Sequence, residues 1–152
     1  MSLFQVLYEI LCQDGWEFEY DNKNKIIKLE IYGINTNFHT FFLVDEEQES
    51  LLCNTHISQK IPYFKRLEVC DFMSRVNYEV VNGNFEMDMD NGEIRYRTFL
   101  DLADAEPSKD QVLNIIWNGV HGFDTYYPGL MKLVHGDYSA EEAMACCTEE
   151  DP

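Results

Sequence analysis

No uninterrupted apolar stretch in the sequence approaches the roughly 20 residues that a membrane-spanning helix needs, which argues against a helical span. Basic residues are scarce. Eleven Lys and Arg stand against 28 Asp and Glu, and a net charge of −17 leaves no basic footprint for counterion-release binding of nucleic acid. Cysteine is confined to positions 12, 53, 70, 146 and 147, an odd number without CxxC spacing, so the thiols read as reduced core residues and the compartment as cytoplasmic. The start, Met1-Ser2-Leu3-Phe4-Gln5, lacks the basic n-region of a signal peptide. There is no GxSxG, GxGxxG or Walker loop, and none of the serines sits in a signature that activates it. His39, His56, His121 and His135 show neither HxH nor HxxxH spacing. Glu86, Asp88 and Asp90 fail as a calcium loop, because Asn91 and Arg97 stand where the glycine and the closing glutamate are needed. These absences predict no metal, no cofactor and no enzyme, although triads are spatial and can assemble from distant residues.

What is present is ample packing material, with 45% hydrophobic and 14% aromatic residues. One α+β domain is predicted over residues 1–147, with 148–152 a disordered acidic tail. Leu3, Phe4, Leu7, Ile10 and Leu11 share a helical stripe that Ser2 caps and Gly15 ends, giving a helix over 3–14. Trp16 to Tyr20 and Ile27 to Ile31 alternate as strands, with Glu19 opposite Lys28, and strands follow at Phe38–Val44 and Leu51–Ile57. From 63 to 76 the spacing of Phe64, Leu67, Cys70, Met73 and Val76 predicts a second helix, with those residues as its buried stripe. Asn84 to Leu100 reads as a β-hairpin about a type I′ Asn91-Gly92 turn, setting Asp88 opposite Arg95 and Glu86 opposite Arg97. Ser108 with Gln111, and Ser139 with Glu142, match capping boxes. The first opens a helix over 109–135 with a kink or restart at Pro128, and in it Gly119 and Gly122 permit close approach to the sheet. The result is an antiparallel sheet of about six strands packed against helices.

The most unusual local composition is Trp117-Asn118-Gly119-Val120-His121-Gly122-Phe123-Asp124-Thr125-Tyr126-Tyr127-Pro128-Gly129-Leu130. Its aromatics Trp117, Phe123, Tyr126 and Tyr127 are the candidate partner-binding residues, against the plainer reading that an aromatic stripe at helical spacing is core. Asn84-Phe85-Glu86, Glu93-Ile94-Arg95-Tyr96-Arg97 and Phe123 to Leu130 together resemble the bacterial YbjN-domain family, described as sensory-transduction regulators. The resemblance covers nearly the whole chain and implies a fold like that of type III secretion chaperones. It brings no catalytic residue. It implies a non-enzymatic regulatory or chaperone-like domain that binds another polypeptide, with a homodimer as the expected assembly. The alternative is an enzyme or small-ligand binder with a pocket near Trp117 and Tyr126 and acids such as Asp101 or Asp104.

Overall fold

The computed structural model describes residues 1–148. Helix α1 (Leu3–Gln13) leads into β1 (Glu19–Asp21), β2 (Ile26–Tyr32), β3 (Asn37–Asp45) and β4 (Ser50–His56). A 3-10 turn (Tyr63–Lys65) opens α2 (Arg66–Glu79), the hairpin β5 (Asn84–Met87) and β6 (Ile94–Asp101) follows, and α3 (Lys109–His135) and α4 (Ala140–Thr148) complete the order. The strands form one antiparallel sheet in the order β1-β2-β3-β4-β6-β5. Thr148, assigned by sequence to the tail, closes α4. Residues 149–152 of that tail lie outside the described residues.

Strand alternation puts Ile27, Leu29, Ile31, Phe38, Thr40, Phe42, Leu51, Cys53, Thr55, Tyr96 and Thr98 on one buried face of the sheet, under the helices. The other face, carrying Lys28, Glu30, His39, Phe41, Leu43, Phe99 and the arginines of β6, is only partly covered. Capping boxes fix the predicted helix starts: Ser2 with Gln5, Ser108 with Gln111 and Ser139 with Glu142 each exchange both hydrogen bonds. Glu46, in the turn after β3, also accepts from the Leu3 and Phe4 N–H groups at 2.9 and 3.0 Å and anchors the positive end of α1.

The close approach expected at the α3 glycines is present. A Cβ on Gly119 would stand 2.6 Å from Thr55 Oγ1, and one on Gly122 would stand 2.7 Å from the Tyr96 ring. Pro128 does not restart the helix, which is continuous over 27 residues. Proline leaves the Asp124 carbonyl, four residues back, without its helical donor. Asn35 Nδ2 supplies one instead at 3.0 Å, while the buried Asp124 carboxylate accepts from the Ile34 and Asn35 N–H groups at 2.6 and 2.9 Å. Those contacts tie the β2–β3 turn to α3.

The hairpin differs from the predicted register by two residues. Glu86 pairs with Arg95 and Met87 with Ile94. Of the two residues at the turn only Gly92 has positive φ, at +79°, so a type I′ turn does not form. A wider loop replaces it, in which Gly92 N–H donates to Asp88 O, and Asp90 and Glu93 N–H donate to the Asp88 and Asn91 side chains. Arg66 of α2 donates to Met89 O and Asp90 O at 3.0 and 3.2 Å, and Ile61 N–H donates to Gly92 O at 2.8 Å. A shift of two preserves the faces, so Phe85, Ile94 and Tyr96 are still buried. Glu86 Oε1 gathers both arginines of β6, Arg95 at 3.0 Å and Arg97 at 2.8 Å.

Candidate partner-binding surface

The four aromatics singled out on α3 do not share one surface. Phe123 is wholly buried, packed between Phe38 at 5.3 Å and, edge-on, Phe85 at 4.9 Å, and belongs to the core. Trp117 is 37% exposed; it lies against Trp16 at 5.8 Å and stacks on His121 at 5.4 Å. Nine residues at 100° per residue turn a helix through half a revolution beyond two full turns, so Tyr126 faces away from Trp117. Tyr126 is half-buried; burial, then the Cys147 thiol and Glu79, raise its hydroxyl pKa. Tyr127 donates to Gln59 Oε1 at 3.3 Å and ties α3 to the strap after β4. A pocket shared by Trp117 and Tyr126 therefore has no geometric basis. Asp101 lies at the exposed end of β6, and Asp104 lines a small cavity of about 190 Å³ beside α1 with Met1, Val6 and Glu46.

The thiols are also less uniform than their spacing suggests. Cys53 alone is fully buried, which pushes its pKa up to about 12, whereas Cys12 and Cys146 are exposed and Cys70 and Cys147 half-buried.

A cluster of large exposed apolar residues that sequence reasoning missed lies at the start of α2. Tyr63 is 82%, Phe64 78% and Leu67 79% exposed. The buried stripe of α2 is Val69, Phe72, Met73 and Val76, which corrects the predicted stripe through Phe64, Leu67 and Cys70. The segment carries apolar residues on two helical faces, and a helix can turn only one of them to the core. That duplication is the signal the sequence offered. Pro62 and the Arg66 bonds to the hairpin loop fix the entry of α2, and the rotation that buries Phe72 leaves Phe64 and Leu67 in solvent. Arg66 also packs over the Tyr63 ring, 5.5 Å from its centroid. Cys70, one turn beyond Leu67, meets Met89 of the loop at 3.3 Å between sulfurs. Farther along, Tyr78 is 89% exposed beside a shallow cavity of about 400 Å³ that Met144 of α4 also lines. Four of the eleven basic residues, Lys60, Lys65, Arg66 and Arg75, lie in this segment against two acids, Glu68 and Asp71. These charges are largely met nearby: Lys65 pairs with Glu68 at 3.1 Å, Arg75 pairs with Asp71 at 2.7 Å, and the loop that Arg66 holds brings Asp90 alongside.

The edge of the sheet beside α2 is closed to strand addition. Asn77 of α2 accepts from Phe85 N–H at 2.8 Å and donates to Phe85 O at 3.0 Å, occupying the backbone groups a further strand would use.

A family model spanning residues 4–131, that of YbjN, "Putative bacterial sensory transduction regulator", matches this chain. The chain belongs to the YbjN family. Among solved structures it is similar to YbjN from E. coli, described as "a putative transcription regulator", with a TM-score of 0.59 and 11% identity over 80% of this chain and 85% of that one. It is also similar to a chain of the ExsC–ExsE complex, with a TM-score of 0.51 and 14% identity over 79% of this chain and 87% of that one. At those identities the likeness establishes the shared fold of this YbjN-family chain. No curated protein matches it. Among the described residues no helix is long and apolar enough to cross a membrane.

Proposed function

We propose that this YbjN-family protein is a cytoplasmic regulatory or chaperone-like domain whose main activity is to hold another polypeptide. The observation that carries the reading is the exposed apolar surface of Tyr63, Phe64 and Leu67 at the start of α2, flanked by the half-exposed Met89. Three neighbouring large apolar side chains at about four-fifths exposure are a standing free-energy cost unless something covers them at work. Such a patch suits the apolar face of a segment of another polypeptide. A second copy of the chain is a poorer match. A two-fold interface sets a patch against itself and brings together two molecules each carrying −17. The existence of an ExsC–ExsE complex on a related fold supports polypeptide binding as a use to which this architecture is put.

The experiment compares the wild type with the double variant Phe64→Ser, Leu67→Ser by affinity capture and light scattering. Loss of a stoichiometric polypeptide partner from the variant, with its circular dichroism unchanged, supports the reading. Undiminished capture by the folded variant contradicts it. Conversion of a wild-type dimer to a monomer assigns the patch to self-association instead.

A further inference from the structure

On the partly covered face of the sheet, two adjacent strands and the segment that follows β4 bring a carboxylate, an imidazole and a hydroxyl into line. Glu30 on β2 and His39 on β3 are direct cross-strand partners, and His39 is in turn opposite His56 of β4. Ser58 follows His56 by two residues, just beyond the end of β4. His39 Nδ1 lies 2.8 Å from Glu30 Oε1 and 2.7 Å from Oε2, and His39 Nε2 lies 2.7 Å from Ser58 Oγ. A carboxylate can only accept, so it fixes the imidazole proton on Nδ1 and leaves the Nε2 lone pair to receive the serine proton. That is the order of groups by which an acid orients a base and the base activates a nucleophile.

Ser58 is also held in place. The residue after it, Gln59, accepts from the Tyr127 hydroxyl at 3.3 Å, and Ile61 donates to Gly92 O at 2.8 Å, so the strap bearing the serine is tied to α3 and to the hairpin loop. Glu30 is steadied by Lys28 Nζ at 3.6 Å and borders a cavity of about 370 Å³ lined by Glu17, Phe18, Glu19, Lys28 and Tyr32. The serine itself is exposed to an incoming reagent.

We propose that Ser58 is a nucleophile that takes an acyl group from neutral, activated carboxylic esters, with His39 as its base and Glu30 as the positioning residue for His39. Ser58 Oγ bonds to the ester carbonyl carbon while its proton passes to His39 Nε2. The bond from that carbon to the leaving oxygen then breaks, and Nε2–H returns the proton to the departing group. Water repeats the sequence on the acyl-serine, releasing the acid and restoring the hydroxyl. The net charge of −17 and the two acids of the adjoining cavity repel anionic acyl donors, which narrows the class to uncharged esters. This activity is separate from the polypeptide-binding surface and stands or falls independently of it.

The test uses the full chain with a fluorophosphonate probe, read by peptide mass spectrometry, and p-nitrophenyl acetate hydrolysis, read by absorbance. A single adduct on Ser58 is expected, absent from Ser58→Ala and slowed at least about 100-fold in His39→Ala, the lower end for loss of a general base. Glu30→Gln is expected to lower kcat for the ester by about tenfold or more with KM unchanged, a split that a purely structural role would not produce. Circular dichroism confirms that each variant is folded. If His39→Ala fails that check, Glu30→Gln alone decides. No adduct on the wild type, an adduct at another residue, or labelling undiminished in the folded base or acid variant overturns the proposal.

Discussion

Asn77→Ala removes the side chain that closes the sheet edge, and its effect follows from two hydrogen bonds. The Asn77 carboxamide accepts from Phe85 N–H at 2.8 Å and donates to Phe85 O at 3.0 Å, both partly buried. Each such bond contributes about 1 kcal/mol net, so losing both costs about 2 kcal/mol, with a little returned by the better helix propensity of alanine. For a domain of this size a change of about 2 kcal/mol lowers Tm by roughly 4–8 °C. Unfolding in urea, with the transition slope checked for constancy, measures the free energy directly. A second consequence concerns association. The freed N–H and C=O of Phe85 sit on an edge strand of four residues, and an unpaired edge is a template for another chain. Concentration-dependent light scattering is therefore expected from the variant and not from the wild type. Asn77→Asp keeps the acceptor for Phe85 N–H and loses the donor, and should fall between the two. A loss below about 0.5 kcal/mol without added self-association would refute the view that Asn77 closes this edge.

Gly119→Ala should destabilise by about 1 kcal/mol in denaturant, because the overpacking against Thr55 Oγ1, typically 1–3 kcal/mol, outweighs the gain of about 1 kcal/mol in helix propensity. Asp124→Asn keeps one carbonyl acceptor for the β2–β3 turn and loses the other, with an expected loss of about 2 kcal/mol and faster amide exchange at Ile34 and Asn35. Burial, opposed by Glu93 and reinforced by Arg95 and His39, holds the His56 imidazole below its ordinary pKa of 6.5. The native state then binds fewer protons than the unfolded chain. Its stabilising contribution is present above pH 6.5 and lost as pH falls from there through the lowered native value. A plot of Tm against pH should flatten in that interval for His56→Gln.

The elements legible in the sequence were those determined by local chemistry. Ser2 with Gln5 and Ser108 with Gln111 specify helix starts through bonds within four residues, and both helices begin where those pairs place them. The alternation around Lys23 brought Glu19 opposite Lys28, as observed. The misses share a cause, which is that a distant residue decided the outcome. Asn91-Gly92 favours a tight turn locally, but Arg66 and Ile61 bind the carbonyls of a wider loop. Pro128 should interrupt a helix in isolation, but Asn35 satisfies the carbonyl it orphans. Helix α2 offers two apolar faces, and only the docking of the hairpin against it tells which is buried. The same applies to sites. The aromatic composition of α3 points to Trp117, Phe123, Tyr126 and Tyr127, whereas helical spacing alone assigns Phe64 and Leu67 to the core. Glu30, His39 and Ser58 carry no motif because cross-strand register, not sequence proximity, brings them together.

The proposed partner surface at the start of α2 is tested most directly by site-specific photo-crosslinking in the living host. A photoreactive phenylalanine replaces Phe64 in one variant and Ile34 in another; Ile34 is 94% exposed and lies in the β2–β3 turn, away from α2. One discrete adduct to another polypeptide is expected from position 64, and none from position 34. No adduct at 64, or the same adducts from both positions, would contradict it.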